Sequence, residues 1–297
     1  ELLPERAAQL EALRRRLLDQ CATWGYRYVI PPLVEFTDSL LIGLGADLDV
    51  VTCKFTDQMS GRMLGVRADI TPQTARMDAH SLGEEGVTRL CYAGSTLQST
   101  PQSVISGRAP IQLGAELFGS SAIEADSEII GLMLSTFECA GVSRPLTLDI
   151  GHIGIYDALF SDAGLDPEME DQVFDALQRK SAPDIERLSA SLPTREAERL
   201  AQLVSLHGSP DVLASARAAF PDEPAVMAAL DQLDTVLAGV QQAFPDVGVY
   251  VDLTELRGFR YHTGLVFAVY LEGRGSAIAK GGRYDNIGAV FGRDRPA

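Results

Sequence analysis

The stretch ELRGFRYHTGLVFAVYLE, Glu255 to Glu272, gathers groups suited to holding a small polar ligand. Arg257 and Arg260 stand on either side of Gly258, and Tyr261, His262 and Gly264 follow directly. A guanidinium offers a rigid fork of donors that matches a carboxylate. A glycine lets the backbone come close to whatever is held, and the rings supply a wall. Two kinds of carboxylate are open to Arg257: one on a ligand, or a structural partner such as Asp252 or Glu255. Glu116 is a second candidate. It sits beside Leu113, Leu117 and Phe118, which place it on a buried side where an unpaired carboxylate would be costly. Asp69 and Thr71 precede Pro72 and are of the types that cap a helix.

The remaining reactive residue types are scattered. Cysteines stand at 21, 53, 91 and 139 and histidines at 80, 152, 207 and 262, with no CxxC clip, so neither structural zinc nor any other metal is expected. Buried, reduced thiols in a cytoplasmic chain fit this usage. Each isolated histidine reads first as a core or surface residue. Charge excludes more. Twenty-five Lys and Arg against 41 Asp and Glu leave a formal charge of −16, a poor balance for gripping phosphates along RNA or DNA. The one basic run, Arg14-Arg15-Arg16, shares a helix with Leu10, Leu13, Leu17 and Cys21 and falls on its solvated face. No apolar run is long enough for a membrane span. ELLPERAAQL lacks the layout of a signal peptide, and its start without Met leaves room for a short missing leader.

These residues need elements to hold them. Apolar spacing predicts a helix over 5–24 closed by Gly25. YRYVIPPLVEF must be extended around Pro31-Pro32. CKFTDQMSGRMLGVRADIT reads as strand, Ser-Gly turn, strand. Thr71 at the N-cap and Pro72 at the first position start a helix running to about His80. LIGLGADLD, with Gly43 and Gly45, is a loop. TRLCYAGSTLQ and APIQLGAELFG are strands joined by the polar stretch Ser99 to Arg108. A helix covers about 124–140 before Gly141, and RPLTLDIG is a strand. From about 161 to 244 the chain turns Ala-, Leu- and Glu-rich with helical spacing throughout. GVYVDLT, YHTGLVFAVYLE and GSAIAK return to strands. The fold class is therefore α+β: an antiparallel sheet flanked by helices, interrupted by a helical insertion.

That order of elements resembles the catalytic core of a class II aminoacyl-tRNA synthetase, specifically the histidyl-tRNA synthetase family. ELRGFRYHTGLVF is similar to the family's RGLDYYTGxVFE, and AKGGRYDNIG to its AGGRYDGL. GVRADIT stands where the family has LRPEGT. YAGSTLQSTPQSVISGRAPIQLGAELFG lines up without a gap against its long second motif. The resemblance implies a core over 1–160 and 245–297, an insertion over 161–244, and no anticodon-binding domain. The family's third motif would follow FGRDRPA, where the sequence stops.

The departures fall on one side. The second-motif arginine that holds the α-phosphate of ATP in the synthetases is Gln98 here, the glutamate two residues on that contacts adenine is Thr100, and the acid of RGLD is Arg260. A preorganised charge at a developing anion is worth about 3–4 kcal/mol, and a neutral amide supplies none of it. The contacts that the resemblance assigns to histidine itself are mostly kept. Asp69, Thr71 and Gln112 would meet its ammonium, Arg257 its carboxylate, and Glu116 with Tyr284, Tyr261 and His262 its imidazole. Such losses resemble those of the family's non-synthetase branch, the regulatory subunits of ATP phosphoribosyltransferase. The branch implies a non-catalytic protein that needs no cofactor, binds histidine as a feedback effector and takes no tRNA. It also implies a dimer through the Trp24–Phe36 segment, joined with the short catalytic subunit in a hetero-octamer. A divergent enzyme forming histidyl-adenylate is the alternative.

Overall fold

The structure, a computed structural model, describes residues 1–42, 46–100, 107–256 and 262–297. The chain divides into two units, Glu1–Val142 with Asp285–Ala297, and Ser143–Tyr284.

The first unit opens with α1 (Pro4–Thr23), started by a proline in its first turn and left through Gly25 at φ +83. Arg14 and Arg15 of the basic run both bond Glu11 of the same helix. The extended segment follows as β1 (Arg27–Tyr28) and β2 (Val34–Phe36), with Pro31 and Pro32 between them. Two short helices come next, α2 (Thr37–Leu40) and α3 (Ala46–Val51). The second corrects the loop expected over LIGLGADLD. Its closing turn is held by the Thr52 hydroxyl, which donates to the Leu48 carbonyl at 2.7 Å. Gly43 and Gly45 lie outside the described residues. β3 (Cys53–Thr56) and β4 (Met63–Val66) form the predicted hairpin and pair with β2 in the order β2-β4-β3.

α4 (Thr71–Arg76) runs into one π-helical turn, Met77–Leu82, which ends at Gly83 in the left-handed region. Then β5 (Thr88–Ser95) and β6 (Ile111–Phe118) make the longest hairpin of this unit, paired from Thr88↔Phe118 to Ser95↔Ile111, with β1 parallel on the far edge of β5. α5 (Ile123–Ala140) stops at Gly141, φ +74. It packs against α1 over a core of Cys21, Tyr26, Cys91 and Leu132.

The second unit holds β7 (Leu146–His152) and α6 (Ile153–Phe160), then the Ala- and Leu-rich stretch as α7 (Pro167–Gln178), α8 (Ala182–Ser189), α9 (Thr194–Leu203), α10 (Val212–Ala219) and α11 (Pro224–Ala243). A two-residue strand, β8 (His207–Gly208), interrupts these helices, too short to have left a periodic signal. β9 (Gly248–Asp252), β10 (Leu265–Leu271) and β11 (Ala279–Gly282) complete a five-stranded sheet ordered β11-β10-β7-β9-β8. α11 buries Val226, Leu230, Leu233, Leu237 and Val240, residues at helical spacing, and packs on α6 and β7. Antiparallel pairing dominates, with helices alongside, so the architecture is the expected α+β class. No helix among the described residues is long and apolar enough to cross a membrane.

A half-buried cluster joins α5 to β5 in the first unit. Arg89 grips Glu128 through both carboxylate oxygens, at 2.6 and 2.7 Å, and the Tyr26 hydroxyl donates to the same carboxylate at 2.9 Å. The Arg89 bonds hold the Glu128 carboxyl below its ordinary range, against the opposing effect of burial. A depressed carboxyl adds stability that is complete above the unfolded value, about 4.3, and is lost as pH falls through the lower folded value. Glu128→Gln is therefore expected to flatten the acid limb of the Tm-against-pH curve below about pH 4. Scanning calorimetry across that range checks it.

Candidate functional site

The site in the first unit follows from strand alternation. Gln112, Gly114 and Glu116 are alternate residues of β6 and share one face. Opposite them across the ladder are Gly94, Tyr92 and Leu90 of β5. This face therefore carries an amide, a phenol and a carboxylate, with glycines between. A Cβ at Gly114 would strike the hydroxyl end of the Tyr92 ring, and one at Gly94 would strike the Arg67 guanidinium. One glycine makes room for a tyrosine. The other lets the strap Arg67–Thr71 lie across the strands.

Arg67 anchors that strap from within. It is 5% exposed and donates to the Ser95 carbonyl at 2.8 Å and the Pro31 carbonyl at 2.7 Å. Burial lowers its pKa, yet an arginine remains charged in any protein setting. The strap's other end corrects the expected cap of α4. Thr71 is the first helical residue and Ile70 the N-cap, and Asp69 Oδ1, one residue earlier, accepts from the Thr71 amide at 3.0 Å.

A chain of hydrogen bonds then crosses the face. The Gln112 carbonyl oxygen accepts from the Ile70 amide at 3.0 Å, which fixes the direction of its side-chain amide, and Nε2 donates to Asp69 Oδ1 at 2.7 Å. The Thr71 hydroxyl and the Tyr92 hydroxyl are 3.0 Å apart. Tyr92 donates to Glu116 Oε1 at 2.9 Å. Glu116 is 7% exposed and Tyr92 2%, whereas Asp69, Thr71 and Gln112 are half-buried. The burial inferred for Glu116 from its neighbours is met. Burial first, then the Glu116 and Asp69 carboxylates, push the Tyr92 phenol far above its ordinary range, so it stays a protonated donor. The structure thus brings four candidates, Asp69, Thr71, Gln112 and Glu116, into one network. It adds a fifth member that the sequence reading missed. Tyr92 in LCYAG reads as a core aromatic until its register opposite Gly114 is known.

The other candidates belong to the second unit. His262 lies over Gly282, where a Cβ would strike its ring, and Tyr284 is buried. Arg257 and Tyr261 lie outside the described residues, as do Gly258 and Arg260. Carboxylate oxygens of Asp149 in β7, Asp252 at the end of β9 and Glu255 beyond it lie within 4.8 Å of one another. Asp252 is engaged on both oxygens, by Lys180 at 2.6 Å and by the Thr254 hydroxyl and amide at 2.6 and 2.9 Å. This carboxylate serves the turn that leads towards Arg257. Around Gln98, back in the first unit, the cation at hand is Arg108, which donates to the Gln98 carbonyl at 2.9 Å and to Cys53 Sγ at 3.7 Å.

The family model described as histidyl-tRNA synthetase matches residues 1–297. The chain belongs to the histidyl-tRNA synthetase family. Within it, a protein of Marinobacter nauticus named ATP phosphoribosyltransferase regulatory subunit is 52% identical over 299 residues, covering all of this chain and 76% of its own length. A crystal structure from Bacillus halodurans, described as an ATP phosphoribosyltransferase regulatory subunit/histidyl-tRNA synthetase, superposes with a TM-score of 0.87 at 28% identity, over 100% of this chain and 77% of that one. A chain of the ATP phosphoribosyl transferase complex from Thermotoga maritima shares the family fold at 20% identity. Its TM-score is 0.71, over 92% of this chain and 91% of that one.

The face geometry predicts the effect of filling it. Gly114→Ala must displace the Tyr92 ring and is expected to destabilise by about 1–3 kcal/mol. Gly248→Ala, whose added carbon meets nothing closer than 3.4 Å, is expected to change stability far less. Urea unfolding of both variants checks the pair.

Proposed function

We propose that this chain is the regulatory subunit of an ATP phosphoribosyltransferase. In this reading it catalyses nothing itself, is required by the short catalytic subunit, and passes a histidine signal to the first step of histidine biosynthesis. The observation that carries the reading is the match of all of this chain, 52% identical, to 76% of a protein bearing that name. The amino-acid differences point the same way. Gln98 and Thr100 stand where the synthetases hold ATP with an arginine and a glutamate, and a neutral amide cannot replace a fixed charge beside a phosphate. In the first unit, Asp69, Thr71 and Gln112 form an acceptor-rich edge suited to an ammonium. Glu116 offers a buried carboxylate suited to an imidazole N–H. The family resemblance adds Arg257, Tyr261, His262 and Tyr284 as the remaining histidine contacts.

Self-association fits the same reading. Tyr28, Ile30, Leu33 and Val34, in the segment resembling the first class II motif, are all exposed, and Ile30 is 74% so. Such apolar exposure marks an interface, here a dimer within a hetero-octamer. The reading places the protein in the cytoplasm and away from tRNA, in keeping with a net charge of −16.

Co-purification with a short-form catalytic subunit is expected to give a stable complex whose phosphoribosyl transfer exceeds that of the catalytic subunit alone. Added histidine is expected to lower that rate, with a coupling of about 5–150-fold between the two sites. A histidine response that survives Glu116→Gln or Asp69→Asn would remove the pocket from the account. Those variants are expected to weaken histidine binding about tenfold or more, the loss typical of a hydrogen bond to a charged group. Histidine-dependent ATP–pyrophosphate exchange at synthetase-like rates would overturn the regulatory reading itself.

A further inference from the structure

The network across β5 and β6 has a direction, and Tyr92 sets it. An ionised carboxylate only accepts, so the single Tyr92 proton goes to Glu116 Oε1, 2.9 Å away. The Tyr92 oxygen is then left with acceptor capacity alone. Its other neighbour, the Thr71 hydroxyl at 3.0 Å, must therefore be the donor of that pair. With its one proton turned inward, Thr71 keeps only lone pairs for anything outside. On the same edge, Asp69 offers carboxylate oxygens and Gln112 points its Nε2 inward at Asp69. Asp69 and Thr71 are thus acceptors toward a ligand, while Gln112 keeps one N–H beyond the bond to Asp69.

We infer that Tyr92 is a positioning residue that makes the ammonium-reading edge conditional on the buried acid: the Glu116 carboxylate orients Tyr92, Tyr92 orients Thr71, and Thr71 can then only accept. The inference rests on the proposed histidine reading of this face and deepens it. The site would recognise the two ends of its ligand together, because the group that meets the ring also fixes the polarity of a group that meets the amine. An amide at position 116 releases this constraint. It presents either a carbonyl or an N–H to Tyr92, so the phenol is free to turn its proton to Thr71.

The test is a set of calorimetric titrations with free histidine on the full chain. Thr71→Val is expected to weaken binding about tenfold in the native background. In a Glu116→Gln background the same change is expected to matter several-fold less, a coupling well within the range for groups in one network. Tyr92→Phe keeps the ring over Gly114 and removes only the hydroxyl. Circular dichroism checks that it folds, and in its background the Thr71 and Glu116 changes are expected to be additive. A purely structural role for Tyr92 would lower affinity yet leave the coupling in place, and that result overturns the inference. Equal effects of Thr71→Val in the native and Glu116→Gln backgrounds overturn it too, without any change at Tyr92. Absence of histidine binding by the unmodified chain overturns the pocket reading and this inference together. Binding with additive effects removes only the role given to Tyr92.

Discussion

A carboxylate buried in a β-hairpin must be answered by a donor, and that constraint organises the first unit. Glu116 lies beneath the surface on β6, where an ionised group without partners would shift the protein towards unfolding or give up its charge. One donor is a phenol from the adjacent strand, placed diagonally at Tyr92 rather than directly opposite. Directly opposite Tyr92 is Gly114, and directly opposite Glu116 is Leu90. A glycine at 114 is what allows the ring to lie flat enough to reach the acid. Register, pleat and hydrogen bond are therefore one arrangement. A slip by one residue would turn Glu116 to the other face and leave the phenol without a carboxylate.

The strap from Arg67 to Thr71 depends on that hairpin as much as it covers it. Gly94 leaves the space for the Arg67 side chain, and the Ser95 and Pro31 carbonyls take its protons. With the strap seated, Asp69 accepts from the first amide of the helix that starts at Thr71, and Gln112 ties Asp69 back to β6. Structural capping and ligand-facing chemistry are not rivals here. Each oxygen of a carboxylate has more than one lone pair, so one group serves both.

Much of this was legible in the chain because it depends on local rules. Gly25 and Gly141 bound helices where turn chemistry says they should, and the strand-like runs of β5 and β6 declare themselves. The burial of Glu116 followed from Leu117 and Phe118 beside it. What escaped reading depends on pairing between distant residues. Nothing near Tyr92 in sequence says that it will face an acid two rungs along another strand. The cap of α4 falls at Ile70 rather than Thr71, with Asp69 holding the first helical amide, and only the path of the strap decides this. The turn at α3 was hidden by the glycines before it, and β8 by its length of two residues. His262 and Tyr284 were legible as members of motifs, through resemblance rather than through physics. A ring beside a strand glycine has no periodic signature.

The proposed loss of catalysis alongside retained recognition has a simple physical basis in where charge sits. Activating an amino acid requires fixed positive charge around a phosphate that becomes more negative in the transition state. Recognising the same amino acid requires mainly acceptors for an ammonium and an imidazole, and those are the groups this face displays. The two demands use opposite signs of charge, so one can be lost while the other stays intact. In the proposed reading, a neutral Gln98 on the phosphate side is compatible with the intact network of Asp69, Thr71, Tyr92 and Glu116. That network holds itself together through its own hydrogen bonds, none of which involves a nucleotide. In this reading, a fold that binds by preorganised acceptors and reacts by preorganised cations is divisible into a sensor and an enzyme by a few side chains.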